Sequence, residues 1–268
     1  MTAGPGWPFQ PYYFGLYHWR ERGRRLLFGG AAALCGAALA RSDRRSWPRA
    51  LTGSIAVIWG VLTAGQAVTS LLSPPPWVLG RDKYEALAAE LPLSDAVRLL
   101  DVGCGTGRSL VGLAPAVPEG CSVAALDTFD DRIILGNGGR LAERNARLAD
   151  LDAGALCGDA ARLPIADGSI DVVTMCRVLH DLPAEAAPRA LEEARRVCTP
   201  EGRVGVLALP YPHGADAEPA TYWRTMVADA GFDIERVVER EDGYTIVVGR
   251  AAAQHDGRAP PDTENGAA

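Results

Sequence analysis

From residue 80 onward, apolar positions follow two alternating periods. Short runs rich in Val, Leu, Ile and Ala occupy residues 97–102, 122–126, 155–157, 170–176 and 204–209. Between them, apolar residues recur every three or four positions over 81–91, 107–115, 139–149, 184–198 and 220–230. The first pattern suits buried strands, and the second suits helices with one apolar face. Strands that alternate with helices build a parallel sheet covered on both sides. Two further runs, 234–240 and 244–249, flank Glu241-Asp242-Gly243 and read as a β-hairpin, which brings one antiparallel strand into the sheet.

Before residue 73 the pattern is different. Residues 50–72 carry no charge over 23 positions. As a helix this stretch spans about 34 Å, enough to cross a hydrocarbon core of about 30 Å. Residues 26–40 are also uncharged, but they are short, rich in Ala and Gly, and stop at Arg41. Arginines flank both segments, so the positive-inside rule alone does not orient them. A two-helix transmembrane hairpin over residues 26–72 is the expected arrangement, with residues 1–25 and the rest of the chain in the cytoplasm. Ala38-Leu39-Ala40 leaves open a cleaved signal, and buried or interfacial helices are the third reading. Ser73-Pro74-Pro75-Pro76-Trp77 follows as a stiff exit, giving a linker over 73–80. A catalytic domain is expected at 81–250, and a polar tail without apolar periodicity, read as disordered, at 251–268.

Composition narrows the partners. A net charge of −6 and a pI near 5.3 argue against nucleic acid. Lys83 is the only lysine, a bias that by itself indicates no mechanism. The six cysteines are widely spaced, with neither a CxxC pair nor a nearby histidine, so reduced structural thiols are expected and no metal site is.

The chemistry concentrates at Leu99-Leu100-Asp101-Val102-Gly103-Cys104-Gly105-Thr106-Gly107. Alternating glycines between a strand and a helix let a large ligand lie against backbone amides. A dinucleotide loop is one reading, but its G-x-G-x-x-G spacing would place the third glycine at Arg108. Asp101 ahead of the glycines would repel a pyrophosphate and accept from an ammonium, which favours an amino-acid-like ligand. Asp127 ends the second strand, where a carboxylate takes a ribose diol. Asp159, next to Ala160 after the third strand, lies at the same carboxyl edge, where an acceptor can take an adenine amino group.

With these residues the core resembles the class I S-adenosylmethionine-dependent methyltransferases. Leu99 to Gly107 resembles the family's first motif, Asp127 its ribose acid and Asp159 its adenine-proximal acid. The stretches from Gly158 to Val173 and from Glu193 to Arg203 resemble the ubiquinone/menaquinone-biosynthesis-like branch. The resemblance covers about residues 95–249. It implies S-adenosyl-L-methionine as cofactor, bound through Asp101, Gly103, Gly105, Gly107, Asp127, Asp159 and Ala160. It also implies a Rossmann-like α/β fold whose seven strands run in the order 3-2-1-4-5-7-6, with strand seven antiparallel. The link Thr128 to Gly139 is longer than the family's usual short one and predicts an extended loop over cofactor or acceptor.

His180, with Asp181 to orient it, is the best-placed base for an oxygen or carbon acceptor; the alternative is that it only lines the cofactor. Tyr211 and His213 line an acceptor pocket or face solvent. A membrane tether suggests a small or lipophilic, lipid- or quinone-like acceptor, and equally allows a membrane-protein partner. A nicotinamide-dependent oxidoreductase and a non-catalytic membrane-anchored scaffold are the competing functions.

Overall fold

The computed structural model describes residues 11–42, 46–73, 75–213 and 217–252. Five parallel strands form the middle and one side of the sheet: β2 (Arg98–Val102), β3 (Ser122–Asp127), β5 (Ala153–Cys157), β6 (Ile170–Cys176) and β7 (Cys198–Ala208). The closing hairpin, β8 (Phe232–Glu239) and β9 (Thr245–Ala251), adds β9 antiparallel to β7. The order β5-β3-β2-β6-β7-β9-β8 is the expected 3-2-1-4-5-7-6.

Alternation along each strand divides the core into two layers. Leu99 and Val172 point to α3 (Asp82–Ala89), α4 (Arg108–Leu113) and α5 (Gly139–Arg147). Leu100 and Val173 point to α6 (Ala186–Val197) and α7 (Pro219–Asp229).

Two helices precede this core. α1 (Trp19–Ser42) starts earlier than residue 26 and runs through the arginine cluster before reaching the apolar stretch, because nothing in 19–25 breaks a helix. α2 (Trp47–Leu71) carries Pro48 in its first turn, where the missing N–H costs nothing. The pair meets through small residues: a Cβ on Gly36 would stand 2.6 Å from the Gly53 carbonyl oxygen, and one on Gly29 2.7 Å from that of Gly60. These contacts repeat seven residues apart on each helix, so the backbones stay close along the seam. Ile55, Ile58, Trp59 and Leu62 on α2 and Leu27 and Phe28 on α1 are exposed. Among the described residues one helix, α2, is long and apolar enough to cross a membrane, and little of it is buried. α1 does not reach that mark, so the two-span hairpin expected over residues 26–72 is not supported.

The segment ahead of α1 is part of the core. Phe14 is fully buried and Tyr12 nearly so. Phe14 N–H donates to the Pro76 carbonyl at 2.6 Å, so the strand entering the helix pair lies beside the one leaving it. β1 (Leu16–Tyr17) pairs antiparallel with β4 (Ile134–Leu135), inside the long 128–139 loop. That loop's extra length thus serves to pair with the amino-terminal strap. Most of the expected 251–268 tail lies outside the described residues.

Candidate functional site

The glycine loop joins β2 to α4 at the carboxyl edge of the sheet. Gly103, Gly105 and Gly107 all have positive φ, a conformation that side chains with a Cβ resist. At Gly105, the middle glycine, the place a Cβ would occupy has no atom within 4 Å, so the loop offers an open backbone surface. Asp127 faces it: one carboxylate oxygen accepts from Gly105 N–H at 2.9 Å, and the other from Phe129 N–H at 2.7 Å and Asn137 Nδ2 at 3.3 Å. Phe129 itself has φ +53, a strained value for a residue with a side chain, held at the strand end by that bond. The Asn137 Oδ1 atom is buried without a partner beside this carboxylate.

Asp159 lies across the same edge and closes a turn by accepting from Ala161 N–H at 2.9 Å, with Ala160 buried beside it. The structure therefore gathers Gly103, Gly105, Gly107, Asp127, Asp159 and Ala160 at one edge of the sheet.

Asp101 takes a different place from the one its sequence position suggests. It is fully buried beneath the loop, accepting from Ser109 Oγ at 2.5 Å and Thr174 Oγ1 at 2.8 Å. An ammonium group has no open oxygen to reach, and the expected ligand contact is corrected to an internal anchor joining β2, α4 and β6. Burial, against the two hydroxyl bonds, pushes its pKa up to about 6.

His180 follows β6 in a single 3-10 turn (Leu179–Asp181), with Asp181 Oδ1 3.3 Å from its Nε2 and its Nδ1 buried without a partner. Burial holds its pKa below the ordinary value despite the opposing pull of Asp181, with Arg177 and His213 adding to the depression. The ring is neutral at neutral pH and able to take a proton. His213 does not line a pocket: it bonds Tyr222 Oη at 2.9 Å and the Leu179 and Leu182 carbonyls at 2.9 and 3.0 Å, fastening this turn. Tyr211 is exposed.

Asn145 was not evident from the sequence. Fully buried in α5, it donates to the Thr106 carbonyl at 2.8 Å and the Tyr13 carbonyl at 2.7 Å, and accepts from Tyr13 N–H at 3.3 Å. It ties the strap to the glycine loop, and only the fold brings those partners within reach.

This geometry agrees with what the chain resembles. Residues 100–206 match the family model described as "Methyltransferase domain". Over this stretch the chain is similar to that family. The cofactor of such domains, S-adenosylmethionine, fits the edge: an open glycine backbone, and at Asp127 and Asn137 oxygen acceptors suited to a ribose diol. The chain is 32% identical over 169 residues to the 27-O-demethylrifamycin SV methyltransferase of Amycolatopsis mediterranei, covering 61% of this chain and 53% of that protein. It is 40% identical over 112 residues to a ubiquinone/menaquinone biosynthesis C-methyltransferase of Dinoroseobacter shibae, covering 42% of each. The chain thus spans about half the length of the curated relatives it matches. The fold is shared with a SAM-dependent methyltransferase of Aquifex aeolicus (TM-score 0.52, 23% identity, 63% of this chain and 89% of that one). It is also shared with the [4+2]-cyclase SpnF (TM-score 0.54, 19% identity, 65% and 82%), so the fold alone does not dictate a reaction.

Proposed function

We propose that the chain is a membrane-associated methyltransferase that uses S-adenosylmethionine to methylate a small or lipophilic, quinone-like acceptor. The observation that carries this reading is the edge itself: a glycine loop with open space over Gly105, and Asp127 and Asp159 at the ends of neighbouring strands, inside a stretch that matches methyltransferase domains. Relatives named for demethylmenaquinone and ubiquinone/menaquinone methylation support the quinone-like acceptor. The exposed apolar faces of α1 and α2 support a bilayer as their surroundings, with α2 inserted and α1 packed along it, and the catalytic domain on the cytoplasmic side, where the cofactor is made.

When bound, the cofactor supplies an electrophilic methyl group on a sulfonium. The chain's task is chiefly to hold the reacting atoms in line at about 3 Å and to exclude water. Asp127 and the glycine loop hold the nucleoside end, and Asp159 with Ala160 the adenine. His180 is the base that takes the proton of the acceptor, with Asp181 beside its Nε2 to orient the ring.

Calorimetric titration of the full chain in detergent with S-adenosylmethionine tests the cofactor, and no binding would remove the proposal. Incubating native membranes with methyl-labelled cofactor, wild type against Asp127→Ala, then tests the reaction. Label entering a lipid-extractable product only with wild type is expected, and equal labelling would overturn the assigned site.

A further inference from the structure

At the same carboxyl edge, on the side of the loop facing α3 and the β8–β9 turn, lies a group of cations that none of the cofactor contacts assigned above uses. Lys83 on α3, Arg108 at the start of α4 and Arg177 just past β6 come from three distant parts of the chain. Lys83 Nζ sits over the rings of Tyr84 and Tyr244, 5.2 and 5.3 Å from their centroids. The Arg108 guanidinium stacks on Phe14 and Tyr17 of the strap at 4.4 and 5.6 Å. Arg177 faces Tyr244, Tyr84 and Tyr17. It has φ +60 and is pinned by its N–H to the Leu207 carbonyl at 2.7 Å, so the chain tolerates a strained backbone to place it there.

None of the three is in an ion pair among the described residues, and the Nε atoms of both Arg108 and Arg177 are buried without partners. Of the nearby carboxylates, Asp101 is sealed under the loop, Asp127 holds Gly105 and Asp181 faces His180, while Asp242, gripped by Arg240 at 3.1 Å, acts on Lys83 from beyond ion-pair distance. Burial first, and then Arg177 and Arg108, hold the Lys83 ammonium below its ordinary pKa. Aromatic faces offset part of the cost of such a cluster but leave its charge in place.

We propose that Lys83, Arg108 and Arg177 form a receptor for an oxyanion on the methyl acceptor, so that the acceptor enters as an anion with its charged group between α3 and the end of β6. This rests on the methyltransferase reading and adds the chemical class of the substrate. Guanidinium and ammonium groups together suit a carboxylate or a phosphate ester. His180 lies three residues beyond Arg177 on the same segment.

The test uses the full chain in detergent, saturated with S-adenosylhomocysteine, titrated with 4-hydroxybenzoate, phenyl phosphate and neutral 4-hydroxybenzamide at pH 7.5. At least one anion is expected to bind tenfold or more tightly than the amide, and whichever does identifies the acceptor's group as carboxylate or phosphate. Lys83→Met and Arg177→Gln are each expected to weaken that anion about tenfold while changing S-adenosylhomocysteine affinity less than threefold, and Lys83→Arg to restore it. Equal binding of amide and anions, or loss of cofactor rather than anion affinity in the variants, would overturn the proposal. Failure of wild type to bind S-adenosylhomocysteine would instead overturn the underlying methyltransferase reading, a result separable from the anion titration, which is repeated without cofactor. Circular dichroism and melting of each variant identify any that fail to fold, and the Lys83→Arg comparison then carries the test.

Discussion

Asp101 shows how a residue placed correctly in a motif acquires its role only from its neighbours. The sequence puts it ahead of three glycines, but no spacing reveals that Ser109 and Thr174 supply hydroxyls to both of its oxygens. With a folded pKa of about 6 against an ordinary 3.8, the native state binds a proton more tightly than the unfolded chain does. Its contribution to stability is therefore fully present below about pH 4 and lost as pH rises through about 6, a change of about 2 to 3 kcal/mol. Asp101→Asn is expected to remove that decline, so that the variant gains on wild type between pH 4 and 7 in denaturant midpoints. Its cofactor affinity should fall less than tenfold, whereas a direct contact with an ammonium would make the loss far larger. His180 titrates in the opposite sense: its neutral form is the one that works, and its pKa is depressed. The acid limb of methyl transfer is expected below pH 6.5 and absent in His180→Gln, as a pH-rate profile would show.

At the scale of elements, the alternating pattern made the strands and helices legible, and the order of the strands came with the family resemblance. Pairings between distant segments were not legible. The long 128–139 loop stood out as an insertion, but its partner β1 lies more than a hundred residues upstream, and a two-residue strand leaves no periodicity to read. Lys83, Arg108 and Arg177 were hidden for the same reason, each an ordinary surface cation until the fold brings it beside the others. Asn145 binds two such segments. Asn145→Leu leaves the buried Thr106 carbonyl and the part-buried Tyr13 carbonyl and N–H without this partner, and is expected to cost about 1 to 3 kcal/mol in chemical denaturation and to loosen cofactor binding with it. In the helix pair, Gly53→Leu would drive a side chain into the backbone of α1, whereas at Gly30 the Cβ position is open. Progressive addition of dodecyl sulfate to the detergent-solubilised chain is expected to separate the helices earlier in Gly53→Leu and at the wild-type point in Gly30→Leu.

For the molecule as a whole, the apolar segments suggested a tether attached to an independent enzyme, divided near residue 73. The structure joins the two more closely: Tyr12 and Phe14 precede α1 in sequence but pack inside the core, and the chain returns from α2 beside them through the Phe14 to Pro76 bond. The helix pair is thus an excursion from the core, since its entry and exit lie side by side. Two variants separate these views. Deleting everything before residue 74 removes Phe14, Tyr17 and the β1 strand together with the helices, and exposes Leu110 and Ala142 on the inner face of α4 and α5. Such a chain is expected to melt several degrees lower and bind S-adenosylmethionine at least tenfold more weakly. Replacing only residues 19–71 with a short glycine-serine link preserves the strap, because the ends to be joined are already neighbours. That variant is expected to keep cofactor affinity within threefold, to need no detergent, and to remain with the aqueous phase when lipid vesicles are floated on a density gradient. Equal cofactor affinity in the two variants would mean that the strap contributes nothing to the site, and flotation of the second would place membrane attachment in the core rather than in the helices.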